Sequence, residues 1–238
     1  EKYINLVVPR GSNDFVKYIQ ENTRIPVLGH SEGICHNYID KAADLSKTLR
    51  IALDSKMQYP AACNAMENLL VHKEIASEII PKLVEKFQEK GVSLVGCDET
   101  CKIATGLSLA SENEWDEEYN DLKLAIKIVG DLEEAISFIN KHGSGHTDTI
   151  ITENPETAEE FMNGVNSASV MCNASTRFAD GFRYGLGAEI GISTNKTHAR
   201  GPVGLEGLVI YKYRVYGKGQ IVSDYSGENA RSFTHKPL

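Results

Sequence analysis

The sequence predicts an α/β fold, in which a mostly parallel β-sheet carries helices on its faces. Short apolar segments alternate along the chain with longer segments whose apolar residues recur at helical spacing. The region 121–153 shows this most clearly, because DLKLAIKIVG, DLEEAISFINKHG and TDTIITE are typical of a strand, a helix and a strand in turn. The alternating stretch GLVIYKYRVYG at 207–217 predicts a strand of a different, antiparallel element.

The elements before this region follow the same alternation. YINLVVP at 3–9 is an apolar run ended by a proline, which predicts a buried strand. Gly11 and Ser12 stand where a helix is predicted to begin. The segments that follow predict strands at 25–30 and 34–40, a helix at 41–57, a strand at 67–72, a helix containing Pro81 at 74–91, and a strand at 92–96.

The second half adds clearer boundary signals. Residues 97–116 are polar and turn-like, and we expect them at the surface. Asp131 is the expected N-cap of the helix in region 121–153, and Gly143 is the glycine expected just past its end. The helix that follows is predicted to start at Asn-Pro with acidic residues in its first turn, and SASVMCNA at 167–174 predicts another strand.

The composition is that of a globular chain with an acidic surface. Of 238 residues, 41% are hydrophobic and 24% charged, which are ordinary values for a chain with a core of its own. The net charge of −8 disfavours non-specific binding to nucleic acid or to an anionic membrane. A local basic pocket for an anionic small molecule stays compatible with that balance.

Features that bear on the compartment favour the cytoplasm. No apolar run approaches the roughly 20 residues that span a bilayer, and the N-terminus lacks the pattern of a signal or transit peptide. Because the chain starts directly in a predicted strand, we expect it to be a piece of a longer protein. The five scattered cysteines argue for free thiols in a reducing compartment; they are Cys35, Cys63, Cys97, Cys101 and Cys172.

Cys63, in QYPAACNAM at 58–66, is a candidate nucleophile with two open interpretations. Its small alanine neighbours would let a substrate approach closely, and Asn64 could cap the turn or donate a hydrogen bond. A buried structural cysteine is nevertheless the commoner role for a free thiol. The residues around Cys63 do not by themselves decide between the two.

The polar stretch 173–208 is a second candidate, because a long loop inside a compact domain is usually functional. Arg177, Arg183 and Arg200 could bind a carboxylate or a phosphate, or could simply be solvated. In HGSGHTD, His146 could contact a ligand or be a hydrogen-bonded structural histidine.

Two further features are weaker. The Gly-Ser of PRGSND at 9–14 offers backbone N–H groups to an anion, although one such junction is weak evidence. Cys97 and Cys101 lack the second pair or histidine partner that a metal site needs, so no metal is predicted.

Five motifs, taken in order, resemble the gamma-glutamyl phosphate reductase (glutamate-5-semialdehyde dehydrogenase) family of the aldehyde dehydrogenase superfamily. None is specific alone, but their order is, and together they span nearly the whole chain; residues 97–116 match least. The motifs are PVLGHSEGICHNYID at 26–40, YPAACNAMENLLVH at 59–72, HGSGHTDTIITE at 142–153, NASTRFADGFRYGLGAEIGIS at 173–193 and HARGPVGLEGL at 198–208.

The resemblance implies an aldehyde dehydrogenase-like catalytic domain with a β-strand oligomerisation element. Residues 1–28 would be the end of a Rossmann-like NADPH-binding domain, 29–204 the catalytic domain, and 205–238 the oligomerisation element and tail. A homo-oligomer is therefore expected. The resemblance extends to the reductase half of bifunctional delta-1-pyrroline-5-carboxylate synthases, which leaves open a fused glutamate kinase domain and, for an animal enzyme, a mitochondrial location.

The resemblance also assigns roles to residues. Cys63 falls on the superfamily nucleophile, and Gly11 and Ser12 fall near the cofactor. Glu118 falls near the glutamate that holds the nicotinamide ribose, although Asn120 stands where a phenylalanine is usual two positions on.

The implied substrate is L-glutamyl 5-phosphate, which NADPH reduces to L-glutamate 5-semialdehyde with release of phosphate, in proline biosynthesis. Arg177, with Asn173 and Ser175 of the NAST segment, is assigned to the α-carboxylate of the substrate. Asn64 and His146 are assigned as further substrate contacts.

One departure separates this reaction from hydrolytic aldehyde dehydrogenases. Those enzymes place a glutamate before an LGG segment to activate water, whereas Val27 stands at that position here. The absence of that glutamate suits an acyl-phosphate reductase, because water attack on the thioester would waste the substrate. The alternatives are another oxidoreductase of the superfamily, or a fragment that acts only as an oligomerisation module.

Overall fold

The computed structural model describes residues 2–235, and a seven-stranded sheet organises most of them. All six strand pairings in this sheet are parallel, and the strand order is β4-β3-β5-β2-β1-β6-β7. The strands are β1 Cys35–Ile39, β2 Met66–His72, β3 Ser93–Gly96, β4 Ser108–Leu109, β5 Lys123–Val129, β6 Thr147–Ile151 and β7 Ser169–Cys172. The predicted parallel α/β sheet is confirmed.

Six helices accompany the strands, and the helix starts predicted at Ser12, Asp131 and Asn154 are confirmed. Ser12, Asp131 and Asn154 each accept a hydrogen bond from a backbone N–H of the first turn that follows, as N-cap residues do. The helices are α1 Asn13–Asn22, α2 Leu45–Met57, α3 Lys73–Glu89, α4 Asp98–Ile103, α5 Leu132–His142 and α6 Pro155–Gly164. A two-stranded antiparallel ribbon, β8 Gly191–Ser193 with β9 Gly201–Val203, completes this part of the chain.

The core lies on both faces of the sheet. Because successive strand residues point to opposite faces, Leu69 and Val71 of β2 join the cluster that α3 covers, whereas Leu70 joins the cluster under α5 and α6. Each fully buried aliphatic side chain stabilises the fold by about 1.5–3 kcal/mol. Burial on both faces explains why the strands read as continuous apolar runs.

Three expectations about local structure need correction. Segments 3–9 and 25–30 form no strands, because Val7 and Val27 make only an isolated parallel bridge. The supposedly turn-like residues 97–116 contain α4, β4 and a 3-10 helix, Glu112–Asp116, whose Trp115 is buried against Phe138.

Gly143 follows α5 as predicted, but not for the expected reason. Its φ is −75°, outside the left-handed region that favours glycine. An added Cβ would lie 2.6 Å from the carbonyl oxygen of Ile139, so close backbone packing requires the glycine.

Residues 209–235 form a separate unit. Regular secondary structure among the described residues of this unit consists of a short 3-10 helix, Val222–Tyr225. The strand predicted at 207–217 is wrong for the single chain, because its residues enter no sheet ladder and Ile210 is 98% exposed. No helix among the described residues is long and apolar enough to cross a membrane.

Candidate active site

The candidate site forms where four adjacent strands begin. Gly33 precedes β1, Cys63 precedes β2, Glu118 precedes β5 and His146 immediately precedes β6. In the sheet these strands stand in the order β5-β2-β1-β6. Because they run parallel, the segments that precede them lie at the same end of the sheet, where the strands begin. Residues that are up to 113 positions apart in sequence therefore meet around Cys63.

Two contacts from the start of β1 hold the backbone of Cys63. Gly33 packs so closely that an added Cβ would lie 2.1 Å from the carbonyl oxygen of Cys63 and 2.6 Å from its Cα. The buried Cys35 thiol donates to the same carbonyl oxygen over 3.3 Å. Only glycine fits at position 33, and this explains a residue that the sequence patterns left without a role.

The surroundings of Cys63 disfavour its thiolate. Burial raises its pKa to about 11, and the negative charges of Glu118 and Glu189 act in the same direction. Arg177 opposes this shift, because its positive charge favours the thiolate. Cys63 is therefore protonated at neutral pH, and it must lose a proton before it can act as a nucleophile.

Two histidines lie next to the Cys63 thiol. One potential ligand atom from each of His30, Cys63 and His146 lies within 4.8 Å of the others. The two imidazole rings meet edge to face with centroids 4.9 Å apart. Burial and the proximity of His30 lower the pKa of His146 to about 3, so His146 is a neutral imidazole.

Arg177 lies in the 3-10 helix Thr176–Phe178, which packs beside α2. Its Nε donates to Oε1 of Gln58 over 2.9 Å, and its guanidinium lies 5.9 Å from the ring centroid of Tyr59. Although Arg177 is only 9% exposed, its charge acts on Cys63. The structure thus places a positively charged fork beside the candidate nucleophile.

Three other predicted substrate contacts are engaged within the protein. Asn64 donates to the carbonyl oxygen of Ala179 over 2.8 Å, and Ser175 accepts hydrogen bonds from Ser55 and from the backbone of its own turn. The side chain of Asn173 pairs with both backbone groups of Thr152, at 3.0 and 2.7 Å. These bonds shape the loop that carries Arg177, and a direct substrate contact by these three residues stays a prediction.

The predicted cofactor residues also come together. Asn13, the first residue of α1, donates to Oε2 of Glu118 over 3.4 Å, so the α1 N-terminus with Ser12 lies beside Glu118. A cavity of about 100 Å³ adjoins this point; its lining includes Gly11, Asn13 and His30. The cavity therefore extends from the α1 N-terminus to His30, one of the two histidines near Cys63.

A buried ion pair supports the segment that carries Glu118. Lys56 and Glu67 lie 2.6 Å apart with both side chains almost fully buried, and Glu67 also accepts from the backbone N–H of Asn120 over 3.4 Å. Burial raises the pKa of Glu67 to about 7 and outweighs the opposing effect of Lys56. The sequence patterns did not reveal this pair, because its members lie on separate elements.

Sequence reasoning also missed His30 and the buried pair between His36 and Asp148. His30 stands in PVLGHSEG, a segment considered only for Val27. Asp148 accepts from the backbone N–H of His36 over 2.7 Å and lies 2.9 Å from Nδ1 of that ring. A charged residue inside the apolar strand TDTIITE was the available signal, since buried charges are normally paired.

Comparison with known proteins supports the resemblance found in the motifs, although no protein-family model matches the sequence. Gamma-glutamyl phosphate reductase of Nostoc punctiforme is 58% identical over all 238 residues, which cover 55% of that protein. The crystal structure of gamma-glutamyl phosphate reductase from Thermotoga maritima superposes with a TM-score of 0.90 at 44% identity, covering 92% of this chain and 53% of that one.

The fold is also that of more distant enzymes. An acetylating aldehyde dehydrogenase from Geobacillus thermoglucosidasius shares it with a TM-score of 0.62 at 18% identity, covering 92% of this chain and 59% of that one. The chain spans about half the length of the curated reductase that it matches, and that relative lends no support to the mitochondrial alternative. In sequence over its whole length and in fold, this chain is similar to about half of gamma-glutamyl phosphate reductase.

Proposed function

We propose that this chain carries the nucleophile and substrate site of an enzyme that reduces L-glutamyl 5-phosphate to L-glutamate 5-semialdehyde, with release of phosphate, in proline biosynthesis. The observation that carries the proposal is that Cys63 lies with His30 and His146 where the central strands begin, and that the positive charge of Arg177 acts on its thiol. The identity of 58% to a reductase of that name supports it.

The first chemical step is attack by the Cys63 sulfur on the acyl carbon of the substrate. The proton of the thiol must leave, and His30 is the base placed to take it, since His146 is too weak a base. The tetrahedral oxyanion needs a donor, and we assign this role to the backbone N–H of Cys63. The C–O bond to phosphate then breaks, phosphate departs with the bonding electrons, and the acyl group remains on sulfur as a thioester.

Arg177 is the proposed anchor for the α-carboxylate of the glutamyl group. Its Nε is already fixed by Gln58, which orients the planar guanidinium. Burial of Arg177 strengthens a charge-assisted hydrogen bond, because little water competes for it. His146 lies near Cys63 as a neutral group.

The reduction needs a nicotinamide cofactor, for which we propose NADPH. The residues present suit one end of it: the α1 N-terminus with Gly11 and Ser12 favours an anion, and Glu118 can accept from ribose hydroxyls. When bound there, the cofactor would supply the hydride that reduces the thioester to an aldehyde, and the bond to the Cys63 sulfur would break to restore the thiolate. We assign residues 1–28 to the end of the cofactor domain, and the rest of that domain to the half of the protein that this chain does not cover.

We assign residues 29–204 to the catalytic domain and 205–238 to an oligomerisation element. Support for the latter comes from the apolar residues of 209–216, since Ile210, Tyr213 and Val215 are at least 85% exposed in the single chain. A homo-oligomer would cover them. Sedimentation equilibrium tests this, because it gives the mass of the particle in solution relative to the mass of one chain. We expect this ratio to fall in a variant that ends at 208, and an unchanged ratio would contradict the assignment.

The proposed activity is tested in the longer protein that contains this chain. Glutamate 5-semialdehyde should reduce NADP⁺ only when phosphate is present, because phosphate must release the acyl group from Cys63. The Cys63→Ser variant should lose this turnover, and Cys101→Ser should keep it. Phosphate-independent turnover would indicate a hydrolytic aldehyde dehydrogenase instead.

A further inference from the structure

The cluster of His30, Cys63 and His146 has the donor set of a zinc site. Imidazole nitrogen and thiolate sulfur are the ligands that Zn²⁺ prefers, and a tetrahedral ion holds them at about 2.0–2.3 Å. In that geometry, ligand atoms lie about 3.3–3.6 Å from one another. The three potential ligand atoms already lie within 4.8 Å of each other, so they must approach one another by at most about 1.5 Å to hold an ion.

The hydrogen bonds that His30 and His146 make through Nδ1 leave their Nε2 atoms available to bind a metal ion. Nδ1 of His30 lies 2.8 Å from the carbonyl oxygen of Ile192, and because a carbonyl only accepts, Nδ1 carries the proton. Nδ1 of His146 is engaged 2.8 Å from Oγ1 of Thr147. Metal-binding histidines are typically oriented in this way, by a hydrogen bond at the other ring nitrogen.

The Nε2 atom of His146 is the second observation that points to a ligand. His146 is fully buried, and among the described residues its Nε2 has no hydrogen-bond partner. A buried polar atom without a partner is costly and needs an explanation. His30 and Cys63 retain some exposure, so an ion can enter from their side.

We propose that His30, Cys63 and His146 bind a soft divalent ion of the zinc type, with a fourth position for water. Binding replaces the thiol proton, so Cys–SH and Zn²⁺ give a zinc thiolate and one proton, without any redox change. The ion caps the sulfur reversibly and blocks its attack on an acyl group. Binding itself is independent of the proposed function, whereas the resulting inhibition rests on it.

The other thiols offer a matched control. Cys97 and Cys101 are four residues apart, but Cys97 contacts Oγ1 of Thr100 at 3.2 Å and neither belongs to the three-residue cluster. Mg²⁺ is a second control, because it prefers oxygen ligands.

The test is a Zn²⁺ titration of the 238-residue chain in competition with a chromophoric chelator. We expect one equivalent to bind, and His30→Ala and Cys63→Ala each to weaken binding by more than about 100-fold, since loss of an outer partner alone costs 10–100-fold. Cys101→Ser should bind like the parent, and Mg²⁺ should not compete. Co²⁺ should give a thiolate-to-metal charge-transfer band that Cys63→Ala abolishes.

The site is refuted if Cys63→Ala binds Zn²⁺ like the parent, or if Cys101→Ser loses the binding. Because His146→Ala opens a buried cavity, the folding of this variant is checked by thermal unfolding. If His146→Ala is unfolded, the comparison between His30→Ala and the parent still tests the site. Zinc inhibition of the longer protein is measured separately. If zinc binds but Cys63→Ser keeps its turnover, the proposed function is refuted and the metal site is not. If zinc does not bind but Cys63→Ser loses its turnover, the metal site is refuted and the proposed function is not.

Discussion

Gly33→Ala should displace the candidate nucleophile. The new Cβ would lie 2.1 Å from the Cys63 carbonyl oxygen, whereas ordinary contacts begin at 3.4 Å, so the two backbones must separate by about 1.3 Å. Both atoms in conflict are fixed to backbone, and no side-chain rotation relieves them. Overpacking of this kind costs about 1–3 kcal/mol, which lowers the melting temperature by about 2–12 °C for a chain of this length.

The shift should also change chemistry at Cys63. A misplacement of about 1 Å at a reacting group can cost about 100-fold in rate. We therefore expect a lower melting temperature by calorimetry, an altered alkylation rate of Cys63 with iodoacetamide, and strongly reduced turnover of the longer protein. The matched control is Gly29→Ala, whose Cβ would meet its nearest neighbours at 3.6–3.8 Å and should shift stability by less than about 0.5 kcal/mol. Equal melting temperatures and alkylation rates for Gly33→Ala and the parent would show that Gly33 does not position the backbone of Cys63.

Three further outcomes are expected. The alkylation rate of Cys63 should keep rising with pH until the pH reaches the pKa of the thiol, about 11. Glu118→Gln should lower this pKa and speed the reaction at pH 9, whereas Arg177→Gln should raise it and slow the reaction, each by a factor of about two to ten. Rate changes of the opposite sign would contradict the assigned electrostatic effects. Arg177→Ala should raise the KM for glutamyl phosphate by about 10–100-fold, because a charged hydrogen bond is lost; an unchanged KM would exclude it as the carboxylate anchor. Asp148→Ala should reduce the free energy of unfolding in urea titrations by about 1–3 kcal/mol, because the buried backbone N–H of His36 loses its acceptor, whereas Lys47→Ala, in an exposed pair, should leave it nearly unchanged; similar losses would contradict the buried-pair argument.

Local features of the fold were predictable from the sequence. The helix α5 and its N-cap Asp131 follow from residues within about a dozen positions, because capping and helical periodicity are local effects. The strand order was not predictable in this way, since it depends on which distant segments pair. The segment 207–217 shows the same limit: its alternation favours a strand, but a strand forms only when a partner supplies hydrogen bonds.

The candidate site was predictable only through the order of motifs. Nothing close to Cys63 distinguishes a nucleophile from a core cysteine, because Gly33 and His146 reach it only after four strands align. His30 could not be singled out, since Ile192, the residue that orients its ring, lies 162 positions away. The sequence did place the predicted residues Cys63, Arg177, Glu118 and His146 in segments that the fold brings together.

Whether Cys63 takes up the acyl group of glutamyl phosphate can be measured by mass spectrometry without the cofactor. The 238-residue chain is incubated with L-glutamyl 5-phosphate, generated in place by a glutamate kinase and ATP, then quenched in acid and digested. We predict a glutamyl thioester on the peptide that contains Cys63, absent in Cys63→Ser and retained in Cys101→Ser. An unmodified Cys63 peptide, or acylation of another cysteine in its place, would exclude Cys63 as the nucleophile.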